Sequence, residues 1–265
     1  MSLAIETRQL TRRFDAVVAV DHLSLAVDDG EVFGLLGPNG AGKTTSIKML
    51  ITLLPPSEGE ASVAGHDVAR EPRLVRRSIG YVPQLLSSDG ALSARENLDI
   101  SGRLYHLPGP ERRERIDEML ELMGLADVAD RLVRTFSGGM IRRLEIAQAM
   151  LHRPEVLFLD EPTVGLDPIA RRAVWDHVRR LRDRDGTTIL LTTHYMDEAA
   201  ELCERVGIMH LGKLVALGSP ASLTAQVGPG ATLDAVFGHV TGQGLEEGGS
   251  YRDVARTRRT ARRLG

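Results

Sequence analysis

The stretch Val32-Phe33-Gly34-Leu35-Leu36-Gly37-Pro38-Asn39-Gly40-Ala41-Gly42-Lys43-Thr44 decides the fold. Its first five residues are an almost continuous apolar run, as expected of a strand buried on both faces. A glycine-rich turn follows. Ile47, Leu50, Ile51 and Leu54 then recur at helical spacing until Pro55-Pro56 stops the helix. Gly37 to Thr44 match the pattern G-x-x-x-x-G-K-[ST] without deviation. Between a buried strand and a helix, such glycines let backbone N–H groups converge on phosphate oxygens, and the helix start adds its positive dipole end. Lys43 can reach β- and γ-phosphates, and the Thr44 hydroxyl can ligate Mg²⁺.

Outward from this loop, Val156-Leu157-Phe158-Leu159 and Thr188-Ile189-Leu190-Leu191-Thr192 read as two more central strands. Strands alternating with longer helical patterns indicate α/β architecture. The first run delivers Asp160 and Glu161 to the end of a strand, where open sheets present their ligands. There Asp160 would hold Mg²⁺ through a water, and Glu161 would polarise an attacking water. Residues 206–209 and 213–217 suggest a hairpin. Residues 90 to 152 carry no strong strand signal and read as a helical block inserted into the sheet domain. Within it, Ser93-Ala94-Arg95-Glu96 is a capping box. Ile116, Met119, Leu120 and Met123 mark an amphipathic helix. In Ser137-Gly138-Gly139-Met140, the helix face of Met140, Leu144, Ala147 and Leu151 puts Ser137 at an N-cap. A hydroxyl and unobstructed amides at a helix start make a second anion site, although the same tripeptide also serves as a plain cap.

Of the 265 residues, 42% are apolar and 26% charged, the balance of an ordinary globular protein. With 33 basic and 36 acidic residues the net charge is -3, which argues against a nucleic-acid-coating polycation. No apolar run approaches the ~18–20 residues that span a bilayer. The start, Met1 to Glu6, resembles no signal peptide, so a cytoplasmic protein is expected. One cysteine, Cys203, excludes an internal disulfide, and it reads as a core residue on the helix after the strand 188–192. Gly242, Gly244, Gly248 and Gly249 read as a linker. From Arg252 to Gly265 there are six arginines against one aspartate, either a solvated tail or an arm for acidic lipid or a partner.

The order of these motifs resembles the ATP-binding cassette family, the nucleotide-binding subunits of ABC transporters, over about 225 residues. Phe14 matches the aromatic that stacks on adenine, though an aromatic beside a strand is also a common core residue. Gly37, Pro38, Asn39, Gly40, Ala41, Gly42, Lys43, Thr44 and Thr45 match the Walker A loop, and Gln84 in Tyr81-Val82-Pro83-Gln84 the Q-loop. Phe136-Ser137-Gly138-Gly139-Met140 is similar to the signature LSGGQ, departing at its first and last positions. Val156 to Glu161 resemble Walker B with the catalytic glutamate, Gly165-Leu166-Asp167-Pro168 the D-loop, and His194 the switch histidine. The methionine ending the signature, Ser93 to Leu98, and Leu233-Asp234-Ala235-Val236-Phe237 resemble exporter ATPases of the daunorubicin/doxorubicin type.

That resemblance implies an α/β fold: a P-loop NTPase (RecA-like) core, an antiparallel β subdomain and an inserted α-helical subdomain. It implies a nucleotide-binding domain over 1–225, an exporter-type element over 226–241, and a disordered linker and tail over 242–265. ATP and Mg²⁺ are the expected ligands, with Thr44, Gln84 and Asp160 at the metal, and Glu161, His194 and Lys43 in catalysis. Two cassettes would pair head to tail, so that Ser137, Gly138 and Gly139 of one meet the nucleotide on the other. The expected partner is an integral-membrane permease, with the chain peripheral on the cytoplasmic side of the membrane and no nucleic acid bound. Export of a drug, antibiotic or lipid-like compound is the expected work. An importer subunit, or a soluble cassette protein acting on ribosomes or DNA, are the alternatives. The soluble members resemble tandem cassettes or carry long insertions, and this chain has neither.

Overall fold

The computed structural model describes residues 2–242. The long strands β1 (Leu3–Phe14) and β2 (Val17–Asp28) lead into β3 (Val32–Leu36), the phosphate-type loop and α1 (Lys43–Leu50). Next come β4 (Glu58–Val63), β5 (His66–Asp67), α2 (Pro72–Ser78) and β6 (Ile79–Val82). The helical block holds α3 (Ala94–Leu104), α4 (Gly109–Leu122) and α5 (Gly138–Met150). It is followed by β7 (Val156–Asp160), α6 (Pro168–Asp185), β8 (Thr188–Thr193) and α7 (Met196–Leu202). The hairpin β9 (Arg205–His210) and β10 (Lys213–Gly218), then α8 (Pro220–Val227) and α9 (Leu233–Thr241), complete the described chain.

Six strands form one sheet in the order β10-β9-β3-β8-β7-β6, parallel except for β10. A second, antiparallel sheet has the order β2-β1-β4-β5. The apolar runs of β3, β7 and β8 are continuous because successive side chains enter different cores. Val32, Leu36, Leu157, Leu159, Ile189 and Leu191 pack with α3 to α9. Phe33, Leu35, Val156, Phe158 and Leu190 pack with α1 and the antiparallel sheet. The expected α/β plan, with its antiparallel sheet and helical block, is what the chain adopts.

Local chemistry sets most boundaries. Ser93 and Glu96 form the full reciprocal capping box at the start of α3. Buried Arg115 of α4 donates to Met150 O (3.0 Å) and Leu151 O (3.2 Å), capping the end of α5. Helix α1 ends before Leu54, earlier than its apolar spacing predicts. Thr52 takes φ +66°, Thr52 N donates to Met49 O (3.1 Å) and Leu53 N to Lys48 O (2.8 Å), a Schellman closure. Cys203 lies just past α7 rather than on it, buried against Gly34, where an added Cβ would stand 2.7 Å from its Sγ.

The element around 233–237 is part of the core. Leu233, Val236 and Phe237 are buried, and the Phe237 ring meets His210 edge to face at 6.0 Å. Phe237→Ala is therefore expected to destabilise the fold by about 3–5 kcal/mol, read as a lower urea midpoint. The reading of 242–265 as linker and tail lies, beyond Gly242, outside the described residues.

Candidate functional site

The loop between β3 and α1 is shaped by what lies behind it. An added Cβ at Gly37 would stand 2.3 Å from Met209 O, and one at Gly42 2.5 Å from Ala19 O. Gly42 also has φ +104°, where only glycine is unstrained, and no side chain caps α1. The first amides of α1, which have no intrahelical partner, are thus left for a ligand. Asn39 to Thr45 line a cleft of about 550 Å³ together with Ala19, Gln84 and Glu161.

Charge in the cleft is concentrated at its floor. Lys43 is 4% exposed, and its Nζ donates to Gly37 O (2.7 Å) and Pro38 O (3.2 Å) and lies 3.1 Å from Glu161 Oε1. Glu161 Oε2 accepts from Gln84 Nε2 at 3.0 Å and lies 3.3 Å from His194 Nδ1. Glu161 itself follows β7 with φ +48°, a left-handed conformation uncommon outside glycine. Its N–H donates to Thr192 O (3.1 Å) and Thr192 Oγ1 (3.0 Å), which holds that turn. Burial pushes the Glu161 carboxyl up, but His194 and Lys43 outweigh it and leave its pKa below the ordinary value. The group is therefore a carboxylate at neutral pH.

Asp160, also buried, accepts at Oδ1 from Thr44 Oγ1 (3.0 Å) and Thr192 Oγ1 (2.6 Å). The Thr44 hydroxyl, Asp160 carboxylate and Gln84 amide oxygen are hard donors of the kind Mg²⁺ prefers. Among the described residues no group of three or more His, Cys, Asp or Glu side chains forms a metal cage. An ion here would draw its remaining ligands from water and nucleotide phosphates, which is how Mg²⁺ is commonly held.

Four of the residues singled out by sequence lie elsewhere. Phe14 ends β1, 40% exposed and outside the cleft lining, with the Arg12 guanidinium 4.6 Å from its ring centre. Ser137, Gly138 and Gly139 start α5, and Ser137 Oγ accepts from Met140 N at 3.3 Å as an N-cap should. An added Cβ at Gly139 would stand 2.8 Å from Ala170 Cβ, so this helix start packs on α6 instead of the cleft. There Asp167 caps α6, accepting from Ile169 N (3.0 Å) and Ala170 N (2.9 Å). Sequence reading missed Thr192 and Ala19. A threonine ending an apolar run looks like strand, and an alanine in β2 carries no chemical signal.

The sequence pattern that defines the ABC transporter family matches residues 20–164. The chain is 49% identical over 225 residues to the daunorubicin/doxorubicin resistance ATP-binding protein DrrA of Streptomyces peucetius, covering 85% of this chain and 68% of that one. It is 46% identical over 224 residues to the Nod factor export ATP-binding protein I of Burkholderia thailandensis, covering 84% and 73%. A solved structure of an ATP-binding subunit of an ABC transporter superposes with TM-score 0.80 at 32% identity, over 91% of this chain and all of that one. The cassette MJ0796, solved as a post-hydrolysis dimer bound to ADP and Pi, superposes with TM-score 0.72 at 26% identity, over 81% and 98%. With the defining pattern spanning more than half of the chain, and relatives aligned along most of both lengths, the chain belongs to the ABC transporter family and is an ATP-binding, ATP-hydrolysing cassette.

Proposed function

We propose that this cassette powers a separate membrane permease and that the pair exports a drug, antibiotic or lipid-like compound from the cytoplasmic side of the membrane. The observation that carries the reading is the likeness, over 84–85% of the chain, to ATP-binding proteins named for resistance and export. Among the described residues no helix is long and apolar enough to cross a membrane. A second cleft, of about 350 Å³, opens between the six-stranded sheet and the helical block, with Leu53, Tyr81 and Tyr105 on its walls. Its mixed lining, apolar and aromatic side chains beside Arg76, Glu145 and Gln148, supports a docking place for a permease segment. Residues 226–241, which end in α9, are read as the exporter-type element, and Leu233, Val236 and Phe237 within it are buried.

In this reading Lys43 and the loop amides hold the β- and γ-phosphates, and Phe14 stacks on the adenine. Mg²⁺, held by Thr44, Asp160 and Gln84, would neutralise phosphate charge when bound with the nucleotide. Phosphate oxygens compete with Glu161 for Lys43, which frees the carboxylate to face water. Glu161 then takes a proton from that water as its oxygen attacks the γ-phosphorus in line. The bond to the bridging oxygen breaks, and ADP and inorganic phosphate leave. His194 holds the γ-phosphate and senses its loss. Ser137, exposed and away from its own cleft, supports a head-to-tail pair in which each copy closes the other's site.

Affinity capture of this chain from detergent-extracted membranes of its own cells is expected to return a membrane permease with it. Transport-linked ATPase activity should appear only with both present. A chain that captures ribosomes or DNA and no membrane protein would overturn the reading. A permease found with an extracytoplasmic binding protein would turn it to import.

A further inference from the structure

Beyond β6 the segment 83–87 runs without helix or strand, so its backbone groups need partners from outside. They find them on α5. Arg142, 1% exposed, donates from Nη1 to Pro83 O (2.6 Å) and from Nη2 to Gln84 O (2.8 Å). One turn on, Glu145, 4% exposed, accepts from the backbone N–H of Ser87 and from Ser87 Oγ (3.2 Å). Arg142 Nη1 and Glu145 Oε2 are 3.0 Å apart, so the two charges neutralise each other in the interior. Arginine and glutamate are almost never fully buried unless paired, and a buried pair can often be replaced by apolar residues without loss of stability. What these two side chains do beyond pairing is grip both ends of the segment that carries Gln84. Gln84 in turn reaches the buried carboxylate of Glu161 at 3.0 Å.

We infer that Arg142 and Glu145 are positioning residues for hydrolysis: they set where Gln84 stands at the nucleotide site. The inference rests on the reading of Gln84 and Glu161 given above. A fork of two donors on consecutive carbonyls fixes both position and orientation of the peptide between them, which a single ammonium does not.

The test uses the full chain and its ATPase activity, with ATP affinity followed by a fluorescent ATP analogue. Arg142→Met is expected to lower kcat about 10–100-fold, the usual effect of an ångström-scale misplacement. Binding of the analogue should change less than about threefold, since the loop and Lys43 are untouched. Arg142→Lys keeps the charge beside Glu145, should fold where the methionine variant does not, and is expected to lose about tenfold in kcat. The deciding measurement is the cycle with Gln84→Ala. If Arg142 acts through Gln84, the double variant is no slower than Gln84→Ala alone, because the group being positioned is already gone. Losses that multiply, or a folded Arg142→Lys with unchanged kcat, overturn the inference. A Gln84→Ala protein with unchanged kcat instead overturns the site reading beneath it.

Discussion

Glu161→Gln is expected to slow ATP hydrolysis by about 10²–10⁴-fold, the range associated with losing a general base, while leaving nucleotide binding intact. The substitution keeps the length of the side chain, an oxygen that can accept from Gln84 and the backbone N–H bonds to Thr192, but removes the carboxylate that can take a proton from water at neutral pH. Lys43 remains held by Gly37 O and Pro38 O, so the phosphate-binding loop keeps its shape. With ATP and Mg²⁺ the variant should accumulate as a closed pair, seen as a monomer-to-dimer shift in gel filtration. The shift should be absent with ADP. It should also vanish when Ser137→Arg is added, because a bulky cation then fills the N-cap that meets the partner's phosphate. Wild-type turnover in Glu161→Gln would remove that residue from the chemistry. A pair indifferent to Ser137→Arg would rule out the composite site while leaving the base assignment standing.

Lys43→Ala should abolish tight ATP binding and, less obviously, weaken the fold. The amine is the cation beside Glu161 Oε1 at 3.1 Å, in a place where both side chains are buried. Removing one member of a buried pair leaves an uncompensated charge, at about 3–5 kcal/mol. The sign of the pH effect follows. A carboxyl held below its usual pKa adds stability above the unfolded carboxylate range and loses it as pH falls through its folded value. Without Lys43 that contribution shrinks, so the variant's stability deficit should be largest near neutral pH and fade in acid. Adding Glu161→Gln removes the orphaned charge, and the double variant should recover much of the urea midpoint without regaining ATP affinity. If Lys43→Ala binds ATP as the parent does, the phosphate-loop assignment is wrong. If the double variant is no more stable than Lys43→Ala, the pair is not what holds the cleft floor together.

Some of this was readable from residues alone, for physical reasons. β3, β7 and β8 stand out because strands buried on both faces cannot alternate, and the phosphate-type loop because close backbone approach restricts positions 37 and 42 to glycine. Ser137 was legible as a cap because capping is local. β1 and β2 were not read, although each is 12 residues long. Their pairing slips between Thr7 and Leu10 and again before Arg12 and Arg13, and Gln9 and His22 take positive φ. Each irregularity resets the two-residue period, so that in β2 only the short stretch of Leu23, Leu25 and Val27 is buried in strict alternation, too little to mark a 12-residue strand. Arg142 failed for a different reason. Helical spacing marks it as polar, yet it is buried because its partners come from the segment 83–87, far away in sequence. Local pattern cannot announce a burial that a distant loop makes possible.

The lone sulfhydryl sets what the molecule will do in the hands of a protein chemist. Cys203 is buried beneath Gly34, and burial, with Glu198, Glu31 and Glu204 nearby, raises its pKa well above that of a free thiol. Since the thiolate is the reactive species, the folded protein should behave toward maleimides as though it had no cysteine. Storage in air should give no cross-linked dimers, so any pairing seen in solution reports nucleotide and not oxidation. A cysteine introduced at an exposed point such as Leu211, 76% exposed at the β9–β10 turn, would be the one site that takes a dye or spin label. The unaltered chain is thereby a ready background for watching two copies approach each other.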